Sequence, residues 1–148
     1  MLLKEATYSF KPIFDVVSCY VEHRGRIVVL HRNNEKSQGD RWGVPAGKRK
    51  EGEDLRDAMT REIKEETGIS VDRSKLQYFK TVFVRHGGYD FVYHMFSISL
   101  EKMMAIRINF KEHKDYRWVS PFDALKMPLV GDLDECIRMF YFAQEDWN

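Results

Sequence analysis

Apolar and polar positions along this chain change period several times, and each change marks an element. Residues 14–21, with Val16, Val17 and Tyr20, read as a β-strand, and 26–31 returns as a second one whose Ile-Val-Val-Leu run is apolar on both faces. Glu22-His23-Arg24-Gly25 makes the turn between them. A short edge strand is expected at 7–11. The polar stretch 33–41 reads as a loop, and Pro45 in the following Trp42-Gly43-Val44-Pro45-Ala46-Gly47 cannot donate to a ladder, which keeps that segment short or at an edge. Strands at 76–84 and 91–100 flank the Gly-rich turn His86-Gly87-Gly88-Tyr89, and 106–110 and 116–119 add two shorter ones. Helical spacing governs elsewhere. Ser120-Pro121 opens a brief helix to Leu125, and 132–142 forms a longer one with Leu133, Ile137, Phe140 and Tyr141 on one face. The fold class predicted is α/β, a mixed sheet between helices, in one domain over 1–148.

The stretch 47–69 contains the other long helix. Asp54 can cap it, Asp57 sits in its first turn, and Gly68 supplies a left-handed residue at its end. At about 100° per residue, Leu55, Ala58, Met59 and Ile63 fall on one side. Glu62, Glu65 and Glu66 fall on or beside that same side, whereas Arg56, Asp57, Thr60 and Lys64 take the opposite face. A structural helix has no use for three carboxylates along its apolar edge. Glu62 and Glu66 are like charges at i, i+4, which costs an isolated helix about 0.2–0.5 kcal/mol, and withdrawal from water costs more or forces a proton on. Arg61 alone cannot neutralise three. A divalent cation would, with Glu53 upstream as a fourth oxygen donor; without His or Cys in the stretch, hard Mg²⁺ or Mn²⁺ is favoured over zinc.

Composition narrows the setting. A chain of 148 residues, 43% hydrophobic and 32% charged, suits one ordinary globular domain. The net charge of +1 gives no general attraction to a DNA duplex or a membrane, so charge recognition must be local. The first residues hold no long apolar run, so neither a secretory signal of the usual form nor a membrane span is expected. Cys19 in an apolar strand and Cys136 in an apolar helix read as core residues rather than a disulfide, which makes a cytoplasmic location the default. A homodimer is compatible with the sequence.

Gly47, Glu53, Arg61, Glu62, Ile63, Glu65, Glu66, Gly68 and Ile69 fill every fixed position of the Nudix box, and the chain thereby resembles the Nudix hydrolase family. The order of strands and helices is similar to the Nudix α/β/α sandwich across nearly the whole chain. The resemblance implies metal-dependent hydrolysis of the pyrophosphate bond in a nucleoside diphosphate linked to another group. It implies Glu62 and Glu66 as first metal ligands, Glu65 as ligand or base, and the backbone carbonyl of Ala46 as a further ligand. Arg61, at i−4 from Glu65 and i+4 from Asp57, is expected to tether the loop and orient carboxylates. Glu112, in Lys111-Glu112-His113-Lys114-Asp115, is the alternative base on a distant loop; His113 and His94 are weaker choices.

Recognition of a small nucleotide must come from outside the box. Lys48-Arg49-Lys50 with Arg32 and Arg41 can hold phosphates, and Trp42, Tyr93, Trp118 and Phe122 can stack on a base. The substrate stays open between a (d)NTP, a nucleotide sugar and a dinucleoside polyphosphate. The proline that ADP-ribose-cleaving members tend to carry after the box is absent, Thr81-Val82-Phe83-Val84 standing there. Two other readings remain: hydrolysis at the 5′ end of RNA, against which the near-neutral charge speaks, and a nucleotide-sensing module without catalysis, against which the intact box speaks.

Overall fold

A computed structural model describes residues 1–142 of the chain. The central strand is β2 (Pro12–His23), for which β1 (Leu2–Leu3) precedes it in sequence and β3 (Arg26–Arg32) follows. β2 and β3 pair only beside their turn, at Glu22↔Ile27 and His23↔Arg26, and then diverge. The gap is filled by the next piece of chain: β4 (Trp42–Gly43) pairs with β3, and β5 (Ala46–Lys48) pairs with β2 at Val16↔Lys48, Val17↔Gly47 and Ser18↔Ala46. Pro45 sits where the chain crosses from one to the other, and its carbonyl accepts from the Cys19 N–H at 3.0 Å. A proline costs nothing there, because the ladder needs only its acceptor.

The rest of the sheet is laid down after helix α1 (Leu55–Thr67). β6 (Gln77–His86) and β7 (Tyr89–Ser99) form the hairpin, β7 runs parallel to β2, and β8 (His113–Val119) lies along the outer side of β3. The strand order is β1-β6-β7-β2-β3-β4, with β5 and β8 attached to β2 and β3. Two helices close the chain, α2 (Pro121–Ala124) and α3 (Leu133–Tyr141).

The period of two in β2 and β3 divides the core in halves. Val17, Cys19, Val21, Val28 and Leu30 pack with Ala58, Met59 and Ile63 of α1. Tyr20, Ile27 and Val29 point the other way, onto Leu133, Cys136 and Ile137 of α3. The α/β/α sandwich therefore stands as expected. Cys19 and Cys136 are free, buried and on opposite faces; burial raises both thiols, Cys136 to about 12. Among the described residues no helix is long and apolar enough to cross a membrane. The single-domain reading ran to residue 148, and 143–148 lie outside the described residues.

Two expected strands are absent. Residues 7–11 form a turn in which Phe10 N–H returns to the Thr7 carbonyl at 3.0 Å, while the Lys11 N–H is taken by Asp90 Oδ2 at 2.8 Å. The edge strand is instead β1, paired with β6 at Leu2↔Val84 and Leu3↔Phe83. Residues 106–110 run irregularly over the end of α1, with Ile106 and Ile108 against its core and the Arg107 N–H on the Thr67 carbonyl at 2.7 Å. Their alternation reflects anchoring on a helix rather than pairing in a ladder.

Ile137, with no exposed surface, pins α3 to the sheet. Ile137→Ala is expected to lower stability by roughly 2–5 kcal/mol, whereas Ile13→Ala, at a site 67% exposed, should stay within about 0.5 kcal/mol of the parent; urea unfolding of both variants checks this.

Candidate active site

The site starts from how α1 is held. Asp54 caps it, accepting from the Arg56 N–H at 2.9 Å and more weakly from Asp57, and Gly68, at φ 78°, closes it with its N–H on the Lys64 carbonyl. β5 crosses this helix so closely that a Cβ on Gly47 would land on the Glu62 carboxylate. One residue earlier, the Ala46 N–H donates to Glu66 Oε1 at 2.8 Å. Both carboxylates are thus drawn against β5. Burial raises each of them above the usual carboxyl range, Glu66 well above it, with the charge of Glu62 adding to the effect on Glu66. The Ala46 N–H and Arg32 oppose the rise at Glu66, and Arg61 opposes it at Glu62.

Arg61 is the hub of the remaining charges. Its Nε and Nη2 donate to the two oxygens of Glu53, both at 2.9 Å; its Nη1 donates to Glu62 at 2.7 Å and Glu65 at 3.3 Å; and Nη2 also reaches the Lys48 carbonyl at 3.1 Å. This two-pronged contact, with the Lys50 N–H, pulls the Glu53 carboxyl down to about 2. Facing Glu66 is a cleft of about 230 Å³, on which Arg32, Lys48 and His113 also border. Beside it lies an apolar cavity of about 140 Å³ lined by Val44, Tyr93, Val130, Leu133 and Cys136. Val16, Ala46, Gln38 and Phe91 border both spaces.

The box-bearing helix, the strand crossing it and the cleft at their junction all lie within the part of the chain that matches a known family. The NUDIX domain profile covers residues 10–140. This chain belongs to the Nudix family. It is 31% identical over 145 residues to Phosphatase NudJ of Shigella boydii, spanning 87% of this chain and 85% of that one. It is 27% identical to the CTP pyrophosphohydrolase of Escherichia coli over 80% of this chain and 84% of the relative. The fold superposes on a MutT protein from Methanosarcina mazei with a TM-score of 0.77 at 22% identity, covering 93% of this chain and 98% of the other. A longer plant relative, Nudix hydrolase 2 of Arabidopsis thaliana, is 26% identical over 77% of this chain, which spans 41% of its length. With its full box and hydrolase relatives, the chain is an enzyme of the pyrophosphohydrolase class.

Within the Nudix box the carboxylates do not all converge as the helical wheel suggested. Among the described residues no three His, Cys, Asp or Glu side chains are gathered so as to hold an ion by themselves. Arg61 is the reason, since its guanidinium stands among Glu53, Glu62 and Glu65. Both Glu53 oxygens are engaged by it, so Glu53 anchors Arg61 in this structure. The Glu65 side chain is 53% exposed. Three residues turn about 300°, which carries Glu65 about 60° toward water, whereas Glu66 lies about 40° to the other side of Glu62. Arg61 does not reach Asp57 either; Arg73 pairs with Asp57 at 2.8 Å.

The recognition residues divide similarly. Arg32 and Lys48 border the cleft, Lys48 with its Nζ 4.3 Å above the Phe14 ring. Arg41 turns away to the Leu129 carbonyl at 3.1 Å, Arg49 turns to Asp15, and Lys50 is exposed. Trp42 is 4% exposed, stacked on His31 at 4.2 Å with Arg117 beside its ring, so no face is left for a base. Trp118 packs on the α1 side of the sheet, and Phe122 is exposed on α2; of the four proposed aromatics only Tyr93 lines the cavity. Glu112 pairs with Lys36 at 3.4 Å, and its charge acts on Glu66. His94 is held between Asp15 and Thr81. His113 is neutral near pH 7, burial and Arg32 lowering it to about 4, and its Nδ1 has no partner.

Phe14, Tyr89, Phe91 and Gln38 border the cleft without having been singled out in the sequence. Phe91 alternates with Tyr93 on β7 and stacks on Phe14 at 5.4 Å, a same-face pattern that strand spacing carried. Gln38 has no such signal: it lies in a loop, at φ 54°, hooked onto the Gly131 N–H.

Because Glu53 is held near 2 against an ordinary 4.5, its contribution to stability is complete above pH 4.5 and is lost as pH falls through about 2. The Tm gap between the parent and Glu53→Gln should be constant near pH 7, narrow below pH 4.5 and close near pH 2, as read by thermal melts across that range. Gly47→Ala should displace Glu62 and lower turnover about tenfold or more while circular dichroism stays unchanged.

Proposed function

We propose that this chain hydrolyses the pyrophosphate linkage of a nucleoside triphosphate or related nucleoside diphosphate derivative, with a divalent metal ion, within a single domain over 1–148. The observation that carries the reading is the pair Glu62 and Glu66, both raised by burial, Glu66 further by the charge of Glu62, with Glu66 at the wall of a cleft that also holds Arg32 and Lys48. Such a pair is short of positive charge, and a phosphate chain entering beside it would make the shortage worse. Their oxygens and the Ala46 carbonyl fit a hard ion such as Mg²⁺ or Mn²⁺. When bound, the ion would offset phosphate charge and acidify a coordinated water.

The chain's own groups supply the rest. Arg61 fixes the Glu62 carboxylate by its Nη1 contact, and Arg32 and Lys48, both bordering the cleft, hold phosphate oxygens. Water attacks phosphorus, the bridging P–O bond breaks and its electrons leave with the departing phosphate. The proton lost by water goes to Glu65, which is exposed, or to Glu112, whose charge acts on Glu66. The apolar cavity beyond Phe91, with Tyr93 in its wall, suits one nucleobase rather than the two of a dinucleoside polyphosphate. The relative named CTP pyrophosphohydrolase supports a nucleoside triphosphate of this kind. Two free buried thiols agree with a reducing, cytoplasmic setting.

Glu66→Gln should lower kcat on the order of 10²-fold or more and retain the fold. Its metal-free Tm should equal or exceed the parent's, because a buried ionised carboxylate with a raised pKa favours the unfolded state above pH 4.5. Mg²⁺ or Mn²⁺ should raise the Tm of the parent more than that of the variant. Equal metal shifts together with normal turnover would remove the pair from the site. A panel of nucleoside di- and triphosphates, nucleotide sugars and dinucleoside polyphosphates, with the products identified, tests the substrate class.

A further inference from the structure

A series of polar contacts on the α1 face of the sheet lies outside the cleft, and the hydrolysis as described makes no use of it. Arg49 follows β5 closely. Its Nε and Nη2 both donate to Asp15 Oδ2, at 3.2 and 2.6 Å, and its Nη1 donates to the Glu53 carbonyl at 3.2 Å. Its backbone N–H donates to the Asp15 carbonyl at 2.9 Å. The other oxygen of Asp15 meets His94 Nε2 at 3.1 Å, and His94 Nδ1 meets Thr81 Oγ1 at 2.9 Å. His94 pairs with Val17 across β2 and β7, which seats this end of the series in the sheet itself.

The far end of the series is the active site. Residues 49–54 connect β5 to α1 without joining any strand ladder, and their turn is closed locally by Glu53 N–H on the Lys50 carbonyl and Lys50 N–H on Glu53 Oε1, both at 3.0 Å. Those bonds shape the turn but tie it to nothing else. Arg49 ties it to β2, with its own side chain 31% exposed and that of Asp15 25% exposed. The same turn presents the Glu53 carboxylate to Arg61, and Arg61 reaches Glu62. His94, Asp15, Arg49, Glu53, Arg61 and Glu62 therefore stand in unbroken contact from the sheet to the carboxylate pair.

We propose that Asp15 and Arg49 are positioning residues for the hydrolysis: their ion pair clamps the β5–α1 turn to β2 and so holds Glu53 where it sets Arg61 against Glu62. The proposal rests on the function given above. Neither residue borders the cleft. Releasing the turn lets Arg61 and Glu62 drift from one another, and a catalytic carboxylate out of place by a fraction of an ångström loses rate while substrate contacts persist. A bond that served stability alone would change Tm without a selective loss of this kind.

Asp15→Asn keeps the shape of the side chain and removes its charge; Arg49→Gln removes the guanidinium and Arg49→Lys keeps the charge without the two-pronged contact. At a temperature where all variants are fully folded, Asp15→Asn and Arg49→Gln should lower kcat about tenfold and raise the half-saturating Mg²⁺ concentration, with nucleotide KM within about twofold of the parent and Arg49→Lys between. The double variant should be no slower than either single one. Arg138→Gln, which removes a partly exposed ion pair to Asp134 on α3, serves as the control and should leave kcat unchanged. In the metal-free protein, the ¹⁵N resonance of the Arg61 Nε–H, held on Glu53 in the parent, should move toward that of a free guanidinium in Asp15→Asn. An unmoved resonance, or kcat and Mg²⁺ requirement within twofold of the parent, overturns the proposal, as does a change confined to KM. If the parent turns over no nucleotide, the proposed function falls, and the Arg61 resonance still decides whether the clamp exists.

Discussion

The contact between β5 and α1 governs the chemistry of this molecule. A glycine backbone lies where any side chain would strike the Glu62 carboxylate, and one residue away a peptide N–H is spent on Glu66. That approach is possible because β2 and β3 part beyond their turn and leave room for a short piece of chain between them. Without the divergence the hairpin would pair along its length, β5 would have no place, and the glutamates of α1 would face water. A sheet irregularity thus creates the low-dielectric wall against which two carboxylates are pressed.

Charge accounts for what surrounds them. One guanidinium serves Glu53, Glu62 and Glu65 at once, and Glu53 takes the larger part, since both of its oxygens are bound. Glu66 lies beyond the reach of Arg61 and is left with a single peptide N–H and the distant field of Arg32. The site is therefore out of balance by design of its packing, and a bound cation is the simplest way to restore it. Arg61 does double duty in such a scheme, because the grip on Glu53 that fixes its position is also what fixes Glu62.

The two faces of the sheet divide the remaining labour. The α1 face supplies carboxylates and the polar series through Asp15 and Arg49; the α3 face supplies the apolar cavity, with Tyr93, Leu133 and Cys136 in its wall. Ala46 and Val16 border both the cleft and the cavity, so the seam between charged and apolar chemistry runs along β5 and β2. A substrate with a phosphate chain at one end and a planar apolar ring at the other matches that seam.

Much of this was legible in the sequence. The helix of the box, its caps at Asp54 and Gly68, the two buried faces of β2 and β3 and the sandwich itself follow from periodicity and local propensity, which one-dimensional pattern records directly. The pair Glu62 and Glu66 followed as well, since a spacing of four on a helix fixes a common face. Contacts between distant segments were not legible. That Arg61 chooses Glu53 over Asp57, that Trp42 stacks on His31, that Arg41 and Arg49 turn from the cleft, and that Gln38 borders it all depend on side-chain direction within irregular chain. So does the loss of the strands at 7–11 and 106–110, where apolar alternation served a turn and a helix end. Sequence determined which residues carry charge and which faces are buried, because those are properties of neighbours along the chain. Only the tertiary structure decided which charges meet, because that depends on where β2 and β3 part and on what enters the gap.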